Sequence, residues 1–153
     1  MNLSKINGVS FRMKFGVLLG LFVTMTIISC GGEKTEETPT SNASSKGIGP
    51  VKSVTIGALD QAMADRGKKQ FEAKCSACHK FEEKVVGPAL QDVTLRRTPE
   101  WIMNMILNPI EMTQKDPIGQ ELLGEHLTQM TFQNIKEEEA REILEYFRKM
   151  DLK

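Results

Sequence analysis

Cys75-Ser76-Ala77-Cys78-His79 constrains this chain more than any other stretch of it. Thiols three residues apart on one helical turn reach the two vinyl groups of a single porphyrin. The histidine that follows then emerges beneath the ring with an imidazole nitrogen facing the iron. One short motif thus fixes a covalent haem and one axial ligand. A structural zinc site would need four ligands, and His126 is the only other histidine. A thioredoxin-like pair would follow a strand and open a helix, whereas this motif closes a helical segment.

The N-terminus reads as an export signal. Lys5, Arg12 and Lys14 form a basic start, Phe15 to Ile28 an apolar stretch, and Ile27-Ile28-Ser29-Cys30 closes it in the manner of a bacterial lipobox. Residues 1–29 are accordingly read as a lipoprotein-type signal peptide, with Cys30 the lipidated first residue of the mature chain. The fourteen apolar positions fall short of the roughly 20 residues that a spanning helix needs, although a retained short anchor stays open. The three cysteines are then all used: Cys30 takes lipid, Cys75 and Cys78 take haem, and none remains for a disulfide. Residues 30–53 are rich in Gly, Ser, Thr, Pro, Glu and Lys and are expected to form a flexible tether. Stretched at about 3.3 Å per residue, it would reach several nanometres.

Residues 54–153 are expected to form one small domain whose thin core a large apolar cofactor helps to fill. They carry 14 Lys and Arg against 17 Asp and Glu, a balance that gives no basic face for nucleic acid. The pattern is all-α. A helix from Asp60 to Cys75 carries Met63, Gly67 and Phe71 at helical spacing and delivers the haem motif. A second begins at Thr98-Pro99-Glu100, with Thr98 as cap and Pro99 in the first turn, and ends at Asn108-Pro109. A shorter helical segment covers Ile118 to His126. The last runs from Lys136 to Met150, with Glu137 to Glu139 at its positive dipole end and Ile143, Leu144, Phe147 and Met150 on its apolar face.

With Gly67-x-x-x-Phe71 before the haem motif, Gly87-Pro88-Ala89-Leu90 after it, and then a methionine loop and a terminal helix, the chain resembles a small class I bacterial cytochrome c. The likeness covers nearly all of residues 58–150. It implies an all-α domain wrapped around one covalently attached haem c, in which the first and last helices cross closely at Gly67, with Phe71 and Tyr146 or Phe147 nearby. It also implies that the Pro88 carbonyl accepts the other ring N–H of His79 and fixes its orientation. Covalent haem attachment outside the cytoplasm, which the resemblance implies as well, agrees with the export signal.

The sixth iron position decides what such a protein does. Nine methionines are candidates. Met130, in the irregular Thr128-Gln129-Met130-Thr131-Phe132 segment before the last helix, stands where the family places its axial methionine. Met112, read as lying in a loop after Pro109, is the main competitor. His126 is a further alternative, although a histidine beside Glu125 reads more simply as solvated. Met103 and Met105 read as helix core. Arg96 and Arg97 are candidates to pair with haem propionates, and Trp101 to lie against the haem edge.

With His79 and Met130 both on iron, the expected function is one-electron transfer between redox proteins, not catalysis, and no small-molecule substrate is expected. The expected location is the periplasmic side of a bacterial membrane, held by the lipid. Trp101 to Pro109, Asp116-Pro117-Ile118 and Gln129 to Asn134 are similar to lipoprotein cytochromes of nitrous oxide reductase systems, which implies a role as donor to that enzyme; a terminal oxidase or another reductase stays open. An open sixth position would instead make the chain a gas sensor or a peroxidase-like enzyme.

Overall fold

The apolar spacing that marks the first and last helices also makes them cross. A computed structural model describes residues 45–152 and contains six helices and no strand among them. Helix α1 (Gln61–Lys74) is capped by Asp60, whose side chain accepts the Met63 N–H at 2.9 Å. It buries Ala64, Gly67 and Phe71, positions spaced by three and four. Helix α6 (Glu137–Asp151) opens with the Lys136 N–H donating to the Glu139 carboxylate and buries Ala140, Ile143, Leu144, Tyr146 and Phe147. At the crossing a Cβ on Gly67 would overlap the Glu142 carbonyl, so only glycine lets the two backbones meet there. Phe71 packs on Tyr146 and Phe147 at ring separations of 5.7 and 5.8 Å, and Phe81 joins them. The buried Glu145 carboxylate accepts the Asp60 N–H and pairs with Arg141 and Arg148, fastening the start of α1 to α6.

The remaining helices are α2 (Val93–Arg96), α3 (Pro99–Leu107), α4 (Pro109–Lys115) and α5 (Pro117–His126). Three of them start on proline, which has no N–H to leave unpaired in the first turn. Thr98 caps α3 by accepting the Trp101 N–H at 3.1 Å, as its sequence predicts. Asp116 caps α5 through the Gly119 N–H and also accepts the Trp101 indole N–H at 3.0 Å.

Three differences from the sequence reading have clear causes. Asn108-Pro109 ends α3 but Pro109 also starts α4, so Met112 is helical and fully buried instead of lying in a loop. Single-turn α2 was invisible because its cap comes from far along the chain: the Asp151 carboxylate accepts the Asp92 and Thr94 N–H groups and the Thr94 hydroxyl. Residues 45–53, expected to belong to the tether, pack on α3 and α4. Buried Asn104 takes the Val51 N–H and donates to the Lys46 and Val51 carbonyls, all at 2.9–3.0 Å. The Ile48 N–H points at the Met112 sulfur at 2.9 Å. Gly47, with φ +69°, lies against the Met112 side chain, where a side chain of its own would not fit. An arm poor in apolar residues is ordered by polar partners and close backbone approach, which composition does not register.

The expected signal segment, including Lys5, Arg12, Lys14 and Cys30, lies outside the described residues. No helix among those described is long and apolar enough to cross a membrane.

Candidate haem site

The segment that carries Cys75, Cys78 and His79 leaves α1 through a tight turn. The Cys75 and Ser76 N–H groups both return to the Phe71 carbonyl, and those of Cys78 and His79 to the Cys75 carbonyl, at 2.8–3.0 Å. The chain then forms a loop back on itself: Gly87 N–H bonds Cys78 O, Leu90 N–H bonds Lys80 O and Gln91 N–H bonds Phe81 O. This closure sets Pro88 beside His79, with Nδ1 of the ring 3.2 Å from the Pro88 carbonyl. Gly87 lies flat against the same ring, and a Cβ there would overlap it. The two cysteines are unpaired, Cys75 half-buried and Cys78 exposed.

Burial pushes the His79 pKa down, the Pro88 carbonyl partly opposes this, and the neighbouring His126 lowers it further. The ring is therefore neutral near pH 7, the form that ligates a metal. With Nδ1 engaged by Pro88, Nε2 is the nitrogen left to face a ligand. Burial likewise raises the Cys75 thiol.

The other predicted residues are placed as follows. Met130 is half-buried in the irregular segment between α5 and α6. Its neighbour Gln129 donates to the Met130 carbonyl at 2.9 Å and accepts the hydroxyl of Thr113, a buried residue of α4, at 2.8 Å. Arg96 reaches the Ala89 and Gln91 carbonyls at 3.3 and 3.0 Å, stapling the stretch after Pro88. Arg97 sits 5.4 Å above the Trp101 ring, and Trp101 is buried. His126 corrects its expected solvation: its side chain is only 10% exposed, with Nε2 3.8 Å from Glu125. Gly87 and the Thr113–Gln129 pair were not among the residues expected to shape the site. A glycine beside a proline reads only as a turn, and Gln129 has no meaning until α4 is placed next to it. Among the described residues no group of three or more His, Cys, Asp or Glu side chains gathers to hold a metal ion.

Comparison with known proteins matches the cytochrome c family over residues 64–151. The chain belongs to the cytochrome c family. A solved cytochrome c from Rhodothermus marinus is 47% identical, covering 68% of this chain and 90% of its own, with a TM-score of 0.67. An engineered form of the Rhodothermus protein, bound to a carbene intermediate, is 44% identical over 69% of this chain and 92% of its own, at a TM-score of 0.64. A cytochrome c domain from a Pseudomonas putida protein shares the fold at 22% identity and a TM-score of 0.51, covering 57% of this chain and 89% of its own. A search of curated proteins finds no significant match.

This cytochrome has the all-helical fold of its family, and the family's cofactor is covalently bound haem c. The structure fits that group on three counts. Cys75-x-x-Cys78-His79 is presented on one turn with both thiols unpaired. The His79 imidazole is neutral and oriented through Nδ1. Nδ1 of His126, whose ring is near enough to His79 to influence its charge, is buried with no partner, alone among the buried side-chain polar atoms of the described residues. Membership in the family carries electron transfer with redox protein partners, and bacterial members are typically exported to the periplasm.

Proposed function

We propose that this cytochrome is a membrane-tethered one-electron carrier in which Cys75 and Cys78 hold the haem as thioethers and His79 and Met130 ligate its iron. Haem c, when bound, supplies a ferric/ferrous couple. The chain's residues do the rest. Pro88 orients the His79 ring, Gly87 leaves room for it, and Met130 closes the second side with a soft sulfur that favours the reduced state.

The observation that carries this reading is the fate of the competing thioether. Met112 is 0% exposed and its sulfur already faces the Ile48 N–H, while Met103 is sealed in α3. Met130 is the methionine of an irregular segment with its side chain only half-buried. Lipid attachment at Cys30 and the upstream tether would keep the domain at the periplasmic face of the membrane while it meets partners in brief, small contacts. The partner proposed is a periplasmic or membrane redox enzyme, nitrous oxide reductase or a terminal oxidase, on the likeness of residues 101–109 and 129–134 stated above.

Oxidised and reduced absorption spectra of the matured protein test this. A covalent haem spectrum with the weak ferric sulfur-to-iron band supports the His/Met carrier, and Met130→Ala must abolish that band. The carbene-bound engineered relative favours one further reading, an iron open to exogenous ligands. Ready binding of carbon monoxide to the ferrous wild type would support a sensor or peroxidase-like role in place of the carrier.

A further inference from the structure

The segment that carries Met130 has few polar ties to the fold. Leu127 and Asn134, both in the left-handed region at φ 52° and 51°, bend the chain near its two ends. Between α5 and α6 no backbone-to-backbone hydrogen bond is made by residues 128–135. Gln133 bonds only Thr131, inside the segment itself. Among the described residues, a single hydrogen bond joins residues 128–135 to the rest of the fold: the Thr113 hydroxyl on Gln129.

We infer that Gln129 is the positioning residue for Met130, bolting the ligand-bearing segment to α4 through Thr113. The inference rests on the reading of Met130 as an iron ligand. The two ends of the Gln129 amide act differently. Its oxygen accepts from Thr113, whose hydroxyl also lies 3.0 Å from the Pro109 and Ile110 carbonyls. Its nitrogen donates to the Met130 carbonyl, which has no backbone donor. Thr113 itself is buried and fixed in α4, beside Met112 and over the close contact between the Met112 carbonyl and Gly119 of α5. A rigid helix pair therefore supplies the anchor, and one amide transmits it to the residue next in sequence. Without that amide the segment keeps its apolar contact at Ile135 but loses its polar tie. The sulfur would then leave its ligating position more often.

Imidazole reports this opening, because it binds ferric iron only when the methionine has moved away. In the full-length, haem-loaded protein, Gln129→Ala and Thr113→Val should each tighten imidazole binding about fivefold, as expected for one lost hydrogen bond. Each should also lower the temperature at which the ferric sulfur-to-iron band disappears. The double variant should be no worse than either single one, since both remove the same bridge. Gln129→Glu keeps the acceptor for Thr113 and loses only the donor to Met130, and should fall between wild type and Gln129→Ala. Imidazole affinity unchanged in Gln129→Ala, multiplicative effects in the double variant, or an effect of Gln129→Glu as large as that of Gln129→Ala would each overturn the assignment. Met130→Ala separates this from failure of the ligand reading. If that variant keeps the band, Met130 is not the ligand and both ideas fall; if it loses the band while Gln129→Ala is silent, only the positioning role falls. Guanidinium unfolding by circular dichroism, followed in parallel, shows whether any variant has lost the fold as a whole.

Discussion

The two segments proposed to supply the iron ligands are built in opposite ways. The His79 side, residues 75–91, is closed by backbone hydrogen bonds between positions close in sequence, from Phe71 with Cys75 to Lys80 with Leu90. Around α3 and α4, the latter tied to the Met130 segment through Thr113, the fold depends on single side chains that bridge distant segments: Asn104 to the arm at Lys46 and Val51, Trp101 to Asp116, and Thr113 to Gln129. Backbone bonds survive most substitutions, whereas a side-chain bridge disappears with one. The comparison teaches that the Cys75–Gln91 stretch is insensitive to side-chain identity except where backbone room is needed, and that, on the proposed ligand reading, the Met130 segment is where sequence change would tune the iron.

The largest expected effect tests the exception on the His79 side. Gly87→Val would place its side chain in the space of the imidazole, and the closed loop cannot widen without breaking the bonds at Cys78, Lys80 and Phe81. We expect a loss of about 3 kcal/mol or more, read as a collapse in the yield of folded, haem-loaded protein. Val86→Ala next to it, on an exposed side chain, should change stability by no more than about 0.5 kcal/mol. Equal effects at the two positions would break the comparison.

The second test attacks the bridged side. Asn104→Leu removes three hydrogen bonds, two of them buried, and leaves the Lys46 carbonyl and both polar groups of Val51 without partners. A cost of about 3 kcal/mol is expected, and limited proteolysis should cut near Gly47 to Gly49 while the α1–α6 pair stays protected. Cleavage spread evenly over the domain would mean that the arm is not a separate, side-chain-held unit.

How much of this was readable beforehand follows the same division. The haem motif, the Thr98 cap and the Gly67 crossing depend on residues within a few positions of one another or on a resemblance that names them. Each appears in the structure where the sequence puts it. The order of residues 45–53, the Asp151 cap on α2 and the burial of Met112 depend on partners 50 or more residues away. No local pattern encodes a contact whose other half is elsewhere. Burial of His126 escaped for the same reason, since beside Glu125 it has every local sign of a solvated residue.

Glu145 joins α1 to α6 by a side-chain bridge on the better-built half of the molecule, so it measures how far the division holds. Burial alone would raise its pKa, but the Asp60 N–H and the Arg141 and Arg148 guanidinium groups outweigh burial and hold it below the ordinary value of 4.5. A depressed carboxylate contributes stability that is present above pH 4.5 and is lost as pH falls through the lower, folded-state value. Glu145→Gln should therefore cost about 2 kcal/mol at pH 7, after allowing for the partly exposed arginines. The gap between variant and wild type should close as the pH is taken below 4.5, measured by denaturant unfolding at each pH. A gap constant with pH would show that shape, not charge, makes Glu145 matter.

A small effect expected on stability is the most informative about the His79 side. Arg96 donates to the Ala89 and Gln91 carbonyls from an exposed position, yet the Leu90 and Gln91 N–H groups already close that loop on Lys80 and Phe81. Arg96→Ala should change unfolding free energy by only about 0.5 kcal/mol. Its charge acts separately from its hydrogen bonds: a cation beside the loop that orients His79 disfavours the ferric state. Removing it should lower the midpoint potential, whereas Arg96→Lys, which keeps the charge and loses the fork, should leave the potential near wild type. If both variants shift the potential equally, the guanidinium geometry positions the loop, and the backbone closure is weaker than its hydrogen bonds indicate. A stability loss above about 2 kcal/mol would go further, because the His79 side would then depend on a single side chain just as the Met130 side does.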